Sequence, residues 1–153
     1  MKTYKDGDVL LILKENGIDI NINNGLIEMT GGFETAIILS LFGGNDQDDG
    51  TESTKKYEFW GNKLENDQNK KLISRTGGIL TGLPVTPNNL RLIDQAIQLD
   101  LNWMKTLNII DELNINLRIP QKNRIEIEIE GIKDKNKLFN TKFAQNWIAQ
   151  SEK

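Results

Sequence analysis

Leu113-Asn114-Ile115-Asn116-Leu117-Arg118-Ile119, then Pro120-Gln121-Lys122-Asn123, then Arg124-Ile125-Glu126-Ile127-Glu128-Ile129-Glu130, is the stretch of this 153-residue chain that decides its fold class. Apolar and polar residues alternate strictly on both arms, the period-two pattern of strands with one covered and one solvated face. The intervening Pro120–Asn123 reads as a turn, so the stretch predicts an antiparallel hairpin. Just upstream the period changes. Leu90, Ile93, Ala96, Ile97, Leu101 and Met104 recur at helical spacing, flanked by Leu92, Leu99 and Trp103. Thr86 can cap the free N–H groups, and Pro87 suits the first helical position, where its missing N–H costs nothing. This helix is the expected central packing element, with Trp103 read as core.

The N-terminal part repeats both patterns at lower amplitude. Val9–Leu13 is an apolar run, and Ile18, Ile20 and Ile22 alternate with Asp19 and Asn21 around Asn16-Gly17, which predicts a hairpin over 8–22. Asn23-Asn24-Gly25 marks a second turn. Thr30-Gly31-Gly32 opens a helix that runs to Phe42 and stops at Gly43-Gly44, with Glu34 placed where the helix dipole favours an acid. Thr76-Gly77-Gly78 and Thr81-Gly82-Leu83-Pro84 read as turns. The fold class is α+β: one domain over 1–132 with an N-terminal β-hairpin, two main helices and a C-terminal antiparallel hairpin. A mobile acidic loop is expected at about 44–56. The tail, 133–153, carries Phe139, Phe143, Trp147 and Ile148 and docks on the body or on a partner.

Composition excludes much chemistry. There is no cysteine and no histidine, which removes thiolate and imidazole nucleophiles, bases and metal ligands. The net charge of −3, from 19 basic and 22 acidic residues, offers no global attraction for nucleic acid. Locally the charge is uneven. Residues 45–54 hold Asp46, Asp48, Asp49 and Glu52 with no base, whereas 55–75 hold six bases against three acids. The apolar run Val9–Leu13 is far shorter than the ~20 residues of a membrane span and follows Asp6 and Asp8, a poor signal peptide. The chain is expected to be made in a bacterial cytoplasm and to need no membrane.

Three site readings can be tested against the letters alone. Aligning Gly50 with the invariant glycine of a calcium-binding EF-hand loop puts Lys56 where the bidentate glutamate belongs, so that motif fails. Glu126, Glu128 and Glu130 recur two apart on one strand face, roughly 6–7 Å from one another, a separation compatible with a glycosidase pair. A glycosidase also needs an apolar pocket that keeps one carboxyl protonated, and an alternating solvated face supplies none. The glycine pairs lack the Gly-Lys-Ser/Thr ending of a phosphate loop. No cofactor, metal or catalytic residue is assigned, and the chain is expected not to be an enzyme. Trp60, beside Gly61 and the acidic loop, reads as a contact residue or, on a contrasting view, as the platform of a ligand-binding module.

The order of Gly31-Gly32-Phe33-Glu34-Thr35-Ala36, Phe59-Trp60-Gly61, the helix ending Leu101-Asn102-Trp103-Met104, and the arms Asn114–Ile119 and Arg124–Gly131 resembles the small baseplate-wedge family of Mu-type contractile phage tails. The resemblance covers roughly residues 8–131. That family is similar to sheath-initiator and wedge proteins of type VI secretion and extracellular injection machines. The resemblance implies a structural virion component present in multiple copies in a ring. Its partners would be other baseplate wedge proteins, the tail sheath protein and the central tube or hub, with strand addition in the C-terminal region. Candidate partner-contact residues are Trp60, Gly61, Arg75, Arg124, Ile125, Ile127, Ile129 and Trp147. The alternatives are a wedge component of an injection system and a carboxylate-based cell-wall glycan hydrolase. The Asn/Lys-rich segment 62–71 and the residues after Lys133 depart from the family pattern.

Overall fold

The computed structural model describes residues 7–14, 17–30, 32–45, 59–84 and 86–146. Three short antiparallel pairs open the chain: β1 (Asp8–Val9) with β6 (Met29–Thr30), β2 (Leu11–Lys14) with β3 (Gly17–Ile20), and β4 (Ile22–Asn23) with β5 (Leu26–Ile27). They radiate from one junction. There Leu10 N–H donates to Glu28 O, Asn21 N–H to Leu10 O and Glu28 N–H to Asn21 O, at 2.8–3.0 Å. The hairpin expected over 8–22 is present as β2–β3, but Lys14 pairs with Gly17, so Gly17 already belongs to the returning strand. Asn16 lies outside the described residues. The second turn is as expected: Asn24 and Gly25 both have positive φ, 50° and 76°, as a tight hairpin turn requires.

Among the described residues four α-helices follow: α1 (Glu34–Phe42), α2 (Arg75–Gly82), α3 (Pro87–Asp100) and α4 (Asn102–Thr106). At the start of α3, Thr86 Oγ1 accepts from Asn89 N–H at 3.3 Å. Trp103 is half-buried against the core, and its indole N–H donates to Ser40 Oγ on α1 at 3.0 Å. The helix α2 replaces the turns expected at Thr76-Gly77-Gly78 and Thr81-Gly82. Its own sequence favours helix poorly, since interior glycine costs roughly 0.5–1 kcal/mol relative to alanine.

Tertiary contacts supply what local propensity lacks. The Asp100 carboxylate, at the last residue of α3, accepts from the N–H groups of Arg75 and Thr76 at 2.9–3.0 Å and from Thr76 Oγ1 at 2.8 Å. An acid from a different helix thus satisfies the first orphan N–H groups of α2 and complements its dipole. One residue earlier, buried Ser74 donates through Oγ to Leu39 O and accepts from Gly43 N–H, both at 3.0 Å, closing the C-terminal end of α1. Ser74-Arg75-Thr76 is therefore the joint at which three helices meet.

The helices cover one face of a three-stranded antiparallel sheet in the order β7 (Glu112–Gln121), β8 (Arg124–Lys133), β9 (Asn136–Asn146). The predicted α+β class holds, and the core joins the helices and sheet through Ile37, Leu41, Ile93, Ile97, Met104, Ile125, Ile127 and Ile129. The hairpin gains a third strand, so residues 136–146 are part of the sheet rather than a tail beyond 132. Two features explain this. Asp134 and Lys135 both have positive φ and return the chain at once, pairing Lys133 with Asn136. Phe139 and Phe143 then pack against Phe33 and Phe42 at the two ends of α1, with ring centroids 5.2 and 5.9 Å apart. Gly131 faces Phe139 across the strands, and a β-carbon there would collide with its ring. The acidic loop expected at about 44–56 lies, from residue 46 onward, outside the described residues, as does Trp147.

Three predictions follow from the joint and the sheet. Gly131→Val should lower stability by about 1–3 kcal/mol by displacing Phe139, read as a shifted denaturant midpoint. Burial pushes the Asp100 carboxyl up to about 6, against the lowering pull of the Arg75 and Thr76 donors. An unfolded aspartate titrates near ~3.9, so between roughly pH 4 and 6 the native state holds a proton that the unfolded state has lost, and this group's contribution to stability falls as pH rises through that window. Asp100→Asn should remove that slope in thermal melts. Asp100→Ala, which strands buried donors, should cost about 1–3 kcal/mol at neutral pH.

Candidate functional site

Strand alternation sorts the sheet into two chemically different faces. Ile125, Ile127 and Ile129 are 0, 1 and 0% exposed beneath the helices. These three were candidate contact residues; the structure makes them core, because β8 is the central strand and its apolar face is the floor of the helix layer. Both edges of β8 are paired, with β7 on one side and β9 on the other, so no further strand can add to it. Arg124 is half-buried at the start of β8, opposite Gln121 and Asn146.

The outer face carries Glu126, Glu128 and Glu130, and each meets a base on a neighbouring strand. Arg118 lies 2.8 Å from Glu126, Lys142 3.2 Å from Glu128 and Lys137 2.8 Å from Glu130. Asn140 also donates to Glu128 at 3.0 Å. The hydrogen bond from Asn140 and then that from Lys142 hold the Glu128 carboxyl below the usual glutamate range, whereas a general acid needs its pKa raised. An open depression of about 280 Å³ lies over Asn116, Arg118, Glu126, Glu128 and Lys142. It is lined by these cross-strand charge pairs, which give the sheet register and solubility rather than acid–base chemistry.

Among the described residues, β7 and β9 are the edge strands of the sheet, each paired only with β8. β7 is ten residues long and β9 eleven, and an edge strand presents a row of backbone N–H and C=O groups to any extended chain beside it. On the inner face of β7, Ile115, Leu117 and Ile119 remain half-buried, so an added strand would find apolar partners there. A register shift between Arg118 and Gln121 spans Pro120, which lacks an N–H and closes the far end of that edge.

A separate feature surrounds Trp60. Trp60–Leu64 forms a 3-10 helix on which Trp60 is 71% and Leu64 77% exposed. Its anchor is Asn62, buried, whose side chain donates to Leu72 O and accepts from Leu72 N–H, both at 2.8 Å. The Phe59 ring lies 5.4 Å from that of Trp60 and against Gly61, where a β-carbon would strike it. Arg75 is directed inward: its guanidinium stands 3.4 Å from buried Asp100. The structure therefore leaves Trp60 as a surface side chain on a fixed base and gives Arg75 an internal partner. Sequence reasoning singled out Trp60 and Gly61 but missed Asn62, whose polar letter gives no sign of a two-way bond to a backbone ten residues on.

Among the described residues, no cluster of three or more acids could hold a metal ion, and no helix is long and apolar enough to cross a membrane. No protein-family model, no curated protein and no solved structure matches the chain.

The site geometry separates support from display. Asn62→Ala should lower stability by about 1–3 kcal/mol through the stranded Leu72 backbone groups. Trp60→Ala should change it by no more than about 0.5 kcal/mol. Urea titrations followed by far-ultraviolet circular dichroism would check both.

Proposed function

We propose that this chain is a non-enzymatic structural component of a contractile tail baseplate. On this reading it links wedge proteins to the first sheath ring by side-chain packing and strand addition. It is made in the bacterial cytoplasm and built in multiple copies around the central tube or hub. The observation that supports it best is the β7 edge, to which no second strand pairs among the described residues, ten residues long with half-buried apolar side chains, flanking a strand sealed on both sides. An edge of this kind binds an extended partner segment through main-chain hydrogen bonds, with alternate side chains setting register. The ordered motifs that resemble the Mu-type baseplate-wedge family point the same way. The cross-strand ion pairs of Glu126, Glu128 and Glu130, and the Glu128 carboxyl held below the usual range by Asn140 and Lys142, argue against the glycan-hydrolase alternative.

The central position of β8 shapes the test. A chain truncated after Asn123 would lose β8 and β9 and with them the core, so an intact fold is needed. Leu117→Lys on the β7 edge can keep its aliphatic stem packed and its charge at the rim, and circular dichroism would verify folding. Tagged wild-type protein, purified from cells producing the whole particle, should bring down wedge and sheath proteins, and Leu117→Lys should lose the sheath protein. Recovery of wild-type protein as a free monomer with no tail proteins would refute the reading.

A further inference from the structure

Along β7 the side chains alternate strictly between the two faces of the sheet. Leu113, Ile115 and Leu117 lie on the core side, where Leu113 is buried and the other two are half-buried. Glu112, Asn114, Asn116 and Arg118 are exposed on the outer face, the last three beside Glu130, Glu128 and Glu126 of β8. Among the described residues β7 pairs with β8 alone. Apolar surface beside unpaired backbone is the combination against which natural sheet edges are protected.

The order of these residues makes the edge complementary to itself. Antiparallel pairing of two copies of β7 about Ile115 sets Ile115 against its own counterpart and Leu113 against Leu117 of the second copy. On the outer face the same register sets Asn114 against Asn116 and Glu112 against Arg118 of the second copy. The pairing is twofold, so the Glu112–Arg118 contact occurs twice. A slip of one residue sets apolar side chains against polar ones. A slip of two puts Glu112 opposite Asn116 in one direction and opposite Pro120 in the other, and both charge pairs are lost. Pro120, which has no N–H to give, lies outside the paired span 112–118. Arg118 already lies 2.8 Å from Glu126, with its side chain 70% exposed. Its guanidinium has enough donors to meet a second carboxylate on the other side.

We infer that the β7 edge is a self-docking surface whose occupant is the β7 strand of a second copy of this chain, paired antiparallel about Ile115. Two three-stranded sheets then join into one, with main-chain hydrogen bonds supplying affinity and the Glu112–Arg118 pairs fixing register. The inference goes beyond the assembly reading and does not need it. It states what takes the edge when no other strand is present. A single pair of short strands makes a small interface, so association is expected near about 100 µM, with a monomer at low micromolar concentration.

Sedimentation equilibrium on purified full-length protein, from about 5 to 500 µM, tests this without any tail particle. Wild type should pass from monomer to dimer across that range. Glu112→Lys and Arg118→Glu, each verified as folded by circular dichroism, should each weaken dimerisation at least about tenfold, because like charges then face each other at both symmetric positions. An equimolar mixture of the two variants should recover association. In the mixed dimer the two exchanged positions face each other with opposite sign, and the remaining pair is native. A wild-type chain that stays monomeric throughout would overturn the inference and leave the edge to a foreign strand. So would a dimer that both variants form as readily as wild type, or variants whose mixture associates no better than either alone.

Discussion

The buried Asp100 carboxylate is the contact on which the helical layer depends. Helix α2 is short, begins Arg-Thr-Gly-Gly and ends in glycine, so it has little reason to form alone. Short isolated helices are marginal even with good formers, because nucleation is costly. Asp100 offsets that cost by meeting the first N–H groups of α2, while Ser74 closes the end of α1. Burial opposes this arrangement, which is why the carboxyl is pushed up to about 6. The same residue ends α3, where its own helix dipole disfavours an acid. Its placement makes sense only through α2.

That joint also sets what the sheet can do. With α1, α2 and α3 held together, Ile37, Leu41, Ile93 and Ile97 form one apolar surface over Ile125, Ile127 and Ile129. β9 is fastened to it by Phe139 and Phe143 against the two ends of α1. The strand with the most regular sequence, β8, is thereby sealed at the centre, and the capacity for pairing moves to β7 and β9. On the far side, cross-strand charge pairs occupy every glutamate of β8. Among the described residues, the sheet's unpaired backbone lies on the outer edges of β7 and β9, and Trp60 stands exposed apart from the sheet.

Much of this was legible in the letters, for physical reasons. Strict alternation in 113–130 specifies strands because a one-residue slip would bury the charges, and Thr86-Pro87 marks a helix start by local chemistry. The α2 helix was not legible, since its cap comes from a residue 24 positions away. The turn at Asp134-Lys135 carries no glycine, which hid the third strand and made 133–153 look like a tail. Ile125, Ile127 and Ile129 were read correctly as one apolar face. Which object covered that face, helices or a partner, depended on the number of strands. At the candidate contact surface, Trp60 stood out as an aromatic among polar residues, but the Asn62 clamp is a tertiary pairing that no local pattern announces.

The most direct test of the central proposal, that this chain acts by joining its β7 edge to proteins of a contractile tail, is amide hydrogen exchange along β7 in the free protein and in the assembled particle. The account predicts that alternate β7 amides, those pointing away from β8, exchange rapidly in the free chain and become strongly protected in the particle, while those bonded to β8 are protected in both. Outward-facing β7 amides that stay equally exposed in the particle would contradict it.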